Sequence, residues 1–374
     1  MKNLLLASTA LVAFAGAAAA EVAISGSGRM GIVYDKSGRI ENTRYVVSSN
    51  GGLTRVAESG FYFSSRVRIA FTLTQETDAG VTFGGSVRAD NAAAGNRGEA
   101  GIVFLSGAFG KLSLGDVDGA AESAVGNISG VGYTGLNDLN EAFYLQQGNE
   151  ALDSNPEATA FALPAALYEY STGGFTGYVG IGDPGGLNVG KLPFFDTVVK
   201  GTTTKRKEVS DLVFDEAYGL GAQYSVDNYS IGIGFESTRV VGLETSANAD
   251  GKIGTPDDTT VQYKNTLDNW IIGGSATFGG FTLKAQYGEG SGDTHDLTQY
   301  GLSGDYSFDA WTLTAFWRSA ETTRTTGQDK IEQAPFGFGV TYDLGGGASV
   351  EFGAVDPDIK GEDYRADFGV NFSF

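Results

Sequence analysis

No cysteine occurs in the 374 residues, which excludes disulfide scaffolds, thiolate zinc sites, iron–sulfur clusters and cysteine nucleophiles. Histidine occurs once, at His295, so multi-histidine metal sites are excluded and little is left for histidine-based catalysis. Proline is limited to 7 residues, too few for collagen or a proline-rich disordered tract. Basic residues are outnumbered, 25 Lys+Arg against 45 Asp+Glu, for a net charge of −20. A nucleic-acid surface needs the opposite balance, so no nucleic-acid partner is expected. Beyond the first twenty residues no apolar run approaches the length of a membrane-spanning helix. What the chain has in quantity is glycine, at 57 residues, and aromatics, at 12%.

Residues 1–20 read as a cleaved signal peptide. Lys2 supplies the positive end, Leu4 to Ala17 the apolar stretch, and Ala18-Ala19-Ala20 the small-residue cleavage site. The segment is short for a membrane anchor. The remaining chain, 21–374, is expected to begin at Glu21 and to work outside the bacterial cytoplasm.

The rest alternates with period two. In the last segment Tyr364, Ala366, Phe368, Val370, Phe372 and Phe374 share one face, with Arg365, Asp367, Gly369, Asn371 and Ser373 on the other. The same pattern sets Val67, Ile69 and Phe71 against Arg66, Arg68 and Thr72, and Tyr229, Ile231, Ile233 and Phe235 against Ser230, Gly232, Gly234 and Glu236. A soluble sandwich would bury the apolar face; small and charged residues opposite it suit a wet lumen. Connections alternate between tight Gly/Asp turns, such as Asp227-Asn228 and Gly279-Gly280, and long polar stretches near 36–58, 118–162, 183–214 and 237–267. Short turns at one end and long loops at the other mark an outer-membrane barrel. Sixteen strands are expected, starting near residues 21, 59, 80, 99, 110, 163, 175, 215, 229, 268, 281, 298, 310, 335, 348 and 363. No repeat of fixed period supports a solenoid. The predicted fold is all-β, a 16-stranded antiparallel transmembrane β-barrel.

Four segments then carry a resemblance: Glu21-Val-Ala-Ile-Ser-Gly-Ser-Gly-Arg-Met-Gly-Ile-Val-Tyr34, Ser64-Ser65-Arg66-Val67-Arg68-Ile69, Glu76–Gly84 and Gly107–Gly115. Together they resemble general-diffusion porins of the Gram-negative outer membrane, the alphaproteobacterial type most of all. The ending Arg365–Phe374 resembles the aromatic C-terminal signal of outer-membrane barrels. The resemblance implies a homotrimer in outer-membrane lipid and lipopolysaccharide that passes ions and small hydrophilic solutes passively. It also implies that the third outer loop, about 116–164, folds inward and narrows the lumen, with acidic residues facing basic residues of the wall.

Arg29, Arg66, Arg68 and Arg88 fall on the polar face, where a lipid-facing arginine would cost about 2–4 kcal/mol near the midplane. They are the expected basic wall; a network that merely stabilises the wall is the plainer reading. Asp116, Asp118, Glu122, Asp138 and Glu141 load the third loop with carboxylates, as its acidic side or as an ordinary solvated face. Lys284 and Arg318 are weaker basic candidates. Gly26-Ser-Gly28-Arg-Met-Gly31 matches a dinucleotide fingerprint, but it lies inside a strand with no helix after it, so small lumen-side residues explain it. His295 sits in a polar loop beside Asp293 and Asp296, without a nucleophile motif. Ser246–Asp257 approximates a calcium loop through Asn248, Asp250 and Asp257, although Ser246 and Asp257 depart from the usual first and last ligands; an ordinary polar turn explains the same residues. No cofactor is otherwise expected. A channel selective for organic anions is the alternative function, ahead of a barrel enzyme or a structural adhesin barrel.

Overall fold

The computed structural model describes residues 21–35, 43–47, 53–57, 60–90, 101–146, 165–182, 207–246, 259–293, 295–324, 330–359 and 363–374. Nineteen strands appear among them: β1 (Glu21–Asp35), β2 (Thr43–Val47), β3 (Leu53–Ala57), β4 (Phe61–Glu76), β5 (Thr82–Asp90), β6 (Ile102–Gly107), β7 (Gly110–Gly115), β8 (Ala165–Thr172), β9 (Phe175–Gly182), β10 (Lys207–Val226), β11 (Tyr229–Ser246), β12 (Thr259–Phe278), β13 (Phe281–Gly292), β14 (His295–Phe308), β15 (Trp311–Arg324), β16 (Lys330–Gln333), β17 (Phe336–Gly345), β18 (Ala348–Asp356) and β19 (Arg365–Ser373). One short helix, α1 (Ala120–Val125), follows β7.

Strands β2 and β3 form a separate hairpin, and the other seventeen make one sheet. β16 and β17 both pair with β15 and are separated by Ala334-Pro335, whose proline cannot donate to the ladder. They are one interrupted strand, so the sheet has sixteen. It closes because β1 pairs antiparallel with both β4 and β19. Closure leaves no unpaired edge, the condition for a sheet to cross lipid.

Alternation decides which face meets lipid. Along β4, Phe61, Phe63, Val67, Ile69, Phe71 and Leu73 are exposed, Phe63 to 87%, while Arg66, Arg68 and Thr72 turn inward. Aromatic rings meet near the tight turns, stacked at Phe281–Tyr306 (4.3 Å) and tilted at Trp311–Tyr342 (4.6 Å). A second set lies further along the same strands, at Trp270–Tyr287 and Tyr287–Tyr300. Phe278 and Trp270 are eight residues apart, about 27 Å of strand at 3.4 Å each, which spans the roughly 25 Å apolar band once tilted. The tight turns use left-handed residues where the sequence has Asp or Gly: Asp227 (φ 49°), Asp309 (φ 50°) and Gly279 (φ 60°).

Three sequence expectations change. β10 and β12 begin at Lys207 and Thr259, well before 215 and 268, because the ladder β10–β11–β12 continues past the apolar alternation into polar sequence. His295 opens β14 and pairs with Arg324 instead of sitting in a loop. Gly26 and Gly28 are not on the lumen side: a Cβ there would lie 2.4 Å from the rings of Phe374 and Phe372, which fold over them on the outer face. Gly31, on the inner face, is covered by Tyr133.

Candidate functional site

The segment after β7 carries the candidate site. Its described part, 116–146, packs against the inner face of the wall. Val117 nests with Ala120 and Leu167 of β8. α1 then lies on β10 and β11, with Ala120, Ala121 and Ala124 all fully buried. The wall beneath it is glycine because the two backbones touch. A Cβ at Gly221 would sit 2.2 Å from the Ala120 carbonyl oxygen, and one at Gly232 would sit 2.1 Å from that of Ala124.

From α1 the chain moves round the wall. Gln286 of β13 donates to the Gly126 carbonyl at 2.6 Å. Ser129 N–H donates to Ser303 Oγ of β14 at 3.0 Å. Val131 packs with Phe316 of β15 and Val355 of β18. At the far end Thr134 donates twice to Asp367 Oδ2 of β19, from N–H at 2.8 Å and Oγ1 at 2.6 Å. Arg29 of β1 donates from Nη1 to the carbonyls of Tyr133 and Thr134, each at 3.4 Å. The return path crosses Arg318, which lies over the Phe143 ring at 4.3 Å, and Gln299, whose Oε1 accepts from Phe143 N–H at 2.8 Å. It ends at Glu236 of β11, fully buried. The Glu236 carboxylate accepts from Leu145 N–H at 2.6 Å, Gln146 N–H at 3.3 Å and Asn269 Nδ2 at 3.3 Å. Gly119 N–H donating to the Gln146 carbonyl at 3.0 Å closes the circuit.

The loop thus covers the inner wall from β8 and β9 round to β1. Arg66 and Arg68 on β4 and Arg88 on β5 turn inward on the remaining arc. Arg29 belongs with the loop, beneath its tip. Among the acidic candidates, Asp118 is exposed and Asp116, Asp138 and Glu141 are partly exposed. Glu122 is different: it is partly buried within the loop, accepts from Asn127 Nδ2 at 3.2 Å, and has a buried Oε2 with no hydrogen-bond partner among the described residues. Burial, then the carboxylates of Asp118, Glu141 and Glu236, pushes its carboxyl well above the usual range. Asn248, Asp250 and Asp257 lie outside the described residues, as does the rest of the loop, 147–164. Among the described residues no group of three or more His, Asp or Glu could hold a metal.

Sequence reasoning missed the anchors. Alternation puts Glu236 and Asp367 on the inner face, but their partners lie 91 and 233 residues away. The local signal at Glu236 is a carboxylate on a face otherwise built of Gly and Ser, which asks for a donor.

Against known proteins, the model of a family described as Gram-negative porin matches residues 7–358. A porin of Rhodobacter capsulatus is 32% identical over 375 residues, covering 95% of this chain and all of that protein. A porin of Fuscovulum blasticum is 26% identical over 363 residues, with the same coverage. Among solved structures, a porin refined at 1.8 Å resolution superposes with a TM-score of 0.62 at 29% identity, over 95% of this chain and all of that one. A variant of Rh. blastica porin superposes at 0.58 with 22% identity over the same shares, a likeness of fold.

Proposed function

The chain belongs to the Gram-negative porin family and forms an outer-membrane channel for passive diffusion of ions and small hydrophilic solutes; we propose that its constriction lies between loop 116–146 and the arginine-bearing arc of β4 and β5. Proteins of this family are channels rather than enzymes. The single observation that carries the constriction is the circuit of loop contacts, which occupies one side of the inner wall and leaves Arg66, Arg68 and Arg88 on the other. Acidic side chains at the loop's surface then face fixed positive charge across a narrow aqueous gap, the arrangement that sorts ions in charged constrictions. Planar-bilayer conductance tests it: deleting residues 120–144 should enlarge the unit conductance, and an unchanged conductance would remove the loop from the ion path.

A homotrimer is the assembly that the wall heights favour. β6 and β7 have six residues each, about 20 Å of strand and less in height once tilted, against an apolar band of about 25 Å. Their outer face carries Val103, Leu105 and Leu114 exposed. A wall this low leaves backbone at membrane depth that lipid cannot satisfy, and another copy of the chain covers it. Lipopolysaccharide then contacts the outer rim. Calcium, if taken by Asn248, Asp250 and Asp257, serves an outer loop only; calcium-dependent protection of that loop from protease would mark the site.

A further inference from the structure

On the reading of the barrel as a channel, we propose that Lys284 marks a subsite for small hydroxylated carboxylates, on the short-turn side of the constriction. A cavity of about 330 Å³ lies there between the end of α1 and the inner faces of β10 to β13. That is the low end of the range for small-molecule sites, about 300–1,000 Å³.

Strand register explains its chemistry. One row of the wall, directly under α1, is Gln223, Gly232, Gly273 and Gln286. The glycines admit the helix, and each glutamine spends its amide N–H on a loop carbonyl, Gln223 on Ala124 at 3.2 Å and Gln286 on Gly126 at 2.6 Å. Their Oε1 oxygens remain as acceptors. The next row toward the turns is Ser230, Ser275, Lys284 and Ser303. The first two hydroxyls bond each other at 2.7 Å, and that pair still has a hydrogen and lone pairs to offer.

Lys284 is the one charge among the residues lining the cavity. It is partly buried, and among the described residues it forms neither a hydrogen bond nor an ion pair. The nearest acidic position in register, Asp305, is already held by the hydroxyls of Ser129 and Thr314, each at 2.7 Å. In a chain of net charge −20, a pocket lined by no carboxylate and holding an ammonium without an ion pair is unusual. It would concentrate anions locally against the field of the whole. An ammonium with hydroxyl donors suits a carboxylate, and the amide oxygens suit hydroxyls on the same solute. The subsite is separate from the arginine arc, on β4 and β5.

The probe is gluconate, with uncharged sorbitol as control, added to wild-type channels in potassium chloride at about 0.1 M, where the Debye length is about 10 Å. Gluconate should reduce potassium current saturably; sorbitol should not. Lys284→Gln should raise the half-blocking concentration at least about 10-fold, as expected for one charge-assisted hydrogen bond. Lys284→Arg should keep the block. Absence of saturable block in wild type, an equal block in Lys284→Gln, or loss of the block only in Arg66→Ala/Arg68→Ala would overturn the assignment. Calorimetric titration of the detergent-solubilised protein with gluconate, wild type against Lys284→Gln, reads the pocket without conduction. Failure of the channel and failure of the subsite are thereby told apart.

Discussion

Arg29 and Arg66 are direct register partners on β1 and β4, side by side on the inner face of the barrel. Like charges placed opposite each other in a ladder cost stability, so the pair needs another reason to exist. Arg29 finds it in the loop, where its Nη1 donates to the carbonyls of Tyr133 and Thr134. Arg66 stands one strand further on, where the loop's cover ends. The two residues mark the seam between the covered and the bare wall.

The first prediction concerns the anchor at Glu236. Its carboxylate takes two successive backbone N–H groups that water cannot reach. Glu236→Ala strands both, at about 1–3 kcal/mol each. The barrel should still form, since the ladder β10–β11–β12 does not depend on this side chain. Single channels should flicker, and limited proteolysis should cut within 119–146 much faster than in wild type. Quiet channels with unchanged proteolysis would mean that the anchor holds nothing.

Backbone contact under α1 gives the second. Gly232→Ala places a methyl 2.1 Å from the Ala124 carbonyl oxygen, a backbone atom that cannot swing away. Overpacking of this kind costs about 1–3 kcal/mol and should lift the helix toward the lumen, lowering conductance. Gly177→Ala is the control, because its nearest neighbour is a Phe175 ring carbon at 3.5 Å. Equal conductance in both variants would contradict the packing described.

A third follows from Glu122. Its carboxyl is raised above the ordinary value of 4.5, with burial as the main cause. Between that value and the raised one, the packed loop holds a proton that a released loop does not. Packing is therefore favoured at low pH and weakens as pH rises through the window. Glu122→Gln should protect the loop from protease above the window relative to wild type and make no difference at acidic pH. Wild-type protection that is flat with pH would refute this.

Much of the fold was legible because a barrel writes its faces into the chain every second residue. Ile231 and Phe235 belong to lipid, and Gly232 and Gly234 to the lumen, and no distant partner is needed to see it. Strand starts at β1, β7, β9, β11 and β13 match for that reason, each fixed by a tight turn or the start of alternation. The tops of β10 and β12 were hidden, because beyond the membrane neither face must be apolar. The site was only half legible. Alternation places Arg66, Arg68 and Lys284 on the inner face, but it is blind to a loop that recrosses twelve strands. Glu122, counted among the loop's carboxylates, bonds Asn127 within the loop, and Asp367, a strand residue of no evident role, holds the loop's tip.

The low wall at β6 and β7 supplies the fourth. Native mass spectrometry in mild detergent should find three chains, and Val103→Glu, on that outer face, should release single barrels that still conduct. A wild-type monomer under those conditions would count against the trimer.

We propose that Arg66 and Arg68 face Asp116 and Asp118 across the narrowest part of the ion path. Reversal potential across a salt gradient tests it most directly. Acidic mouths concentrate cations at low salt and are screened beyond a Debye length, about 10 Å at 0.1 M, so the wild type should be weakly cation-selective, and less so as salt rises. Arg66→Ala/Arg68→Ala should increase both cation preference and conductance, since two lumen charges and two long side chains are lost. Asp116→Asn/Asp118→Asn should shift the potential toward anions. Opposite shifts in the two variants are the predicted result; unchanged potentials in correctly folded variants of both kinds would place these residues outside the ion path.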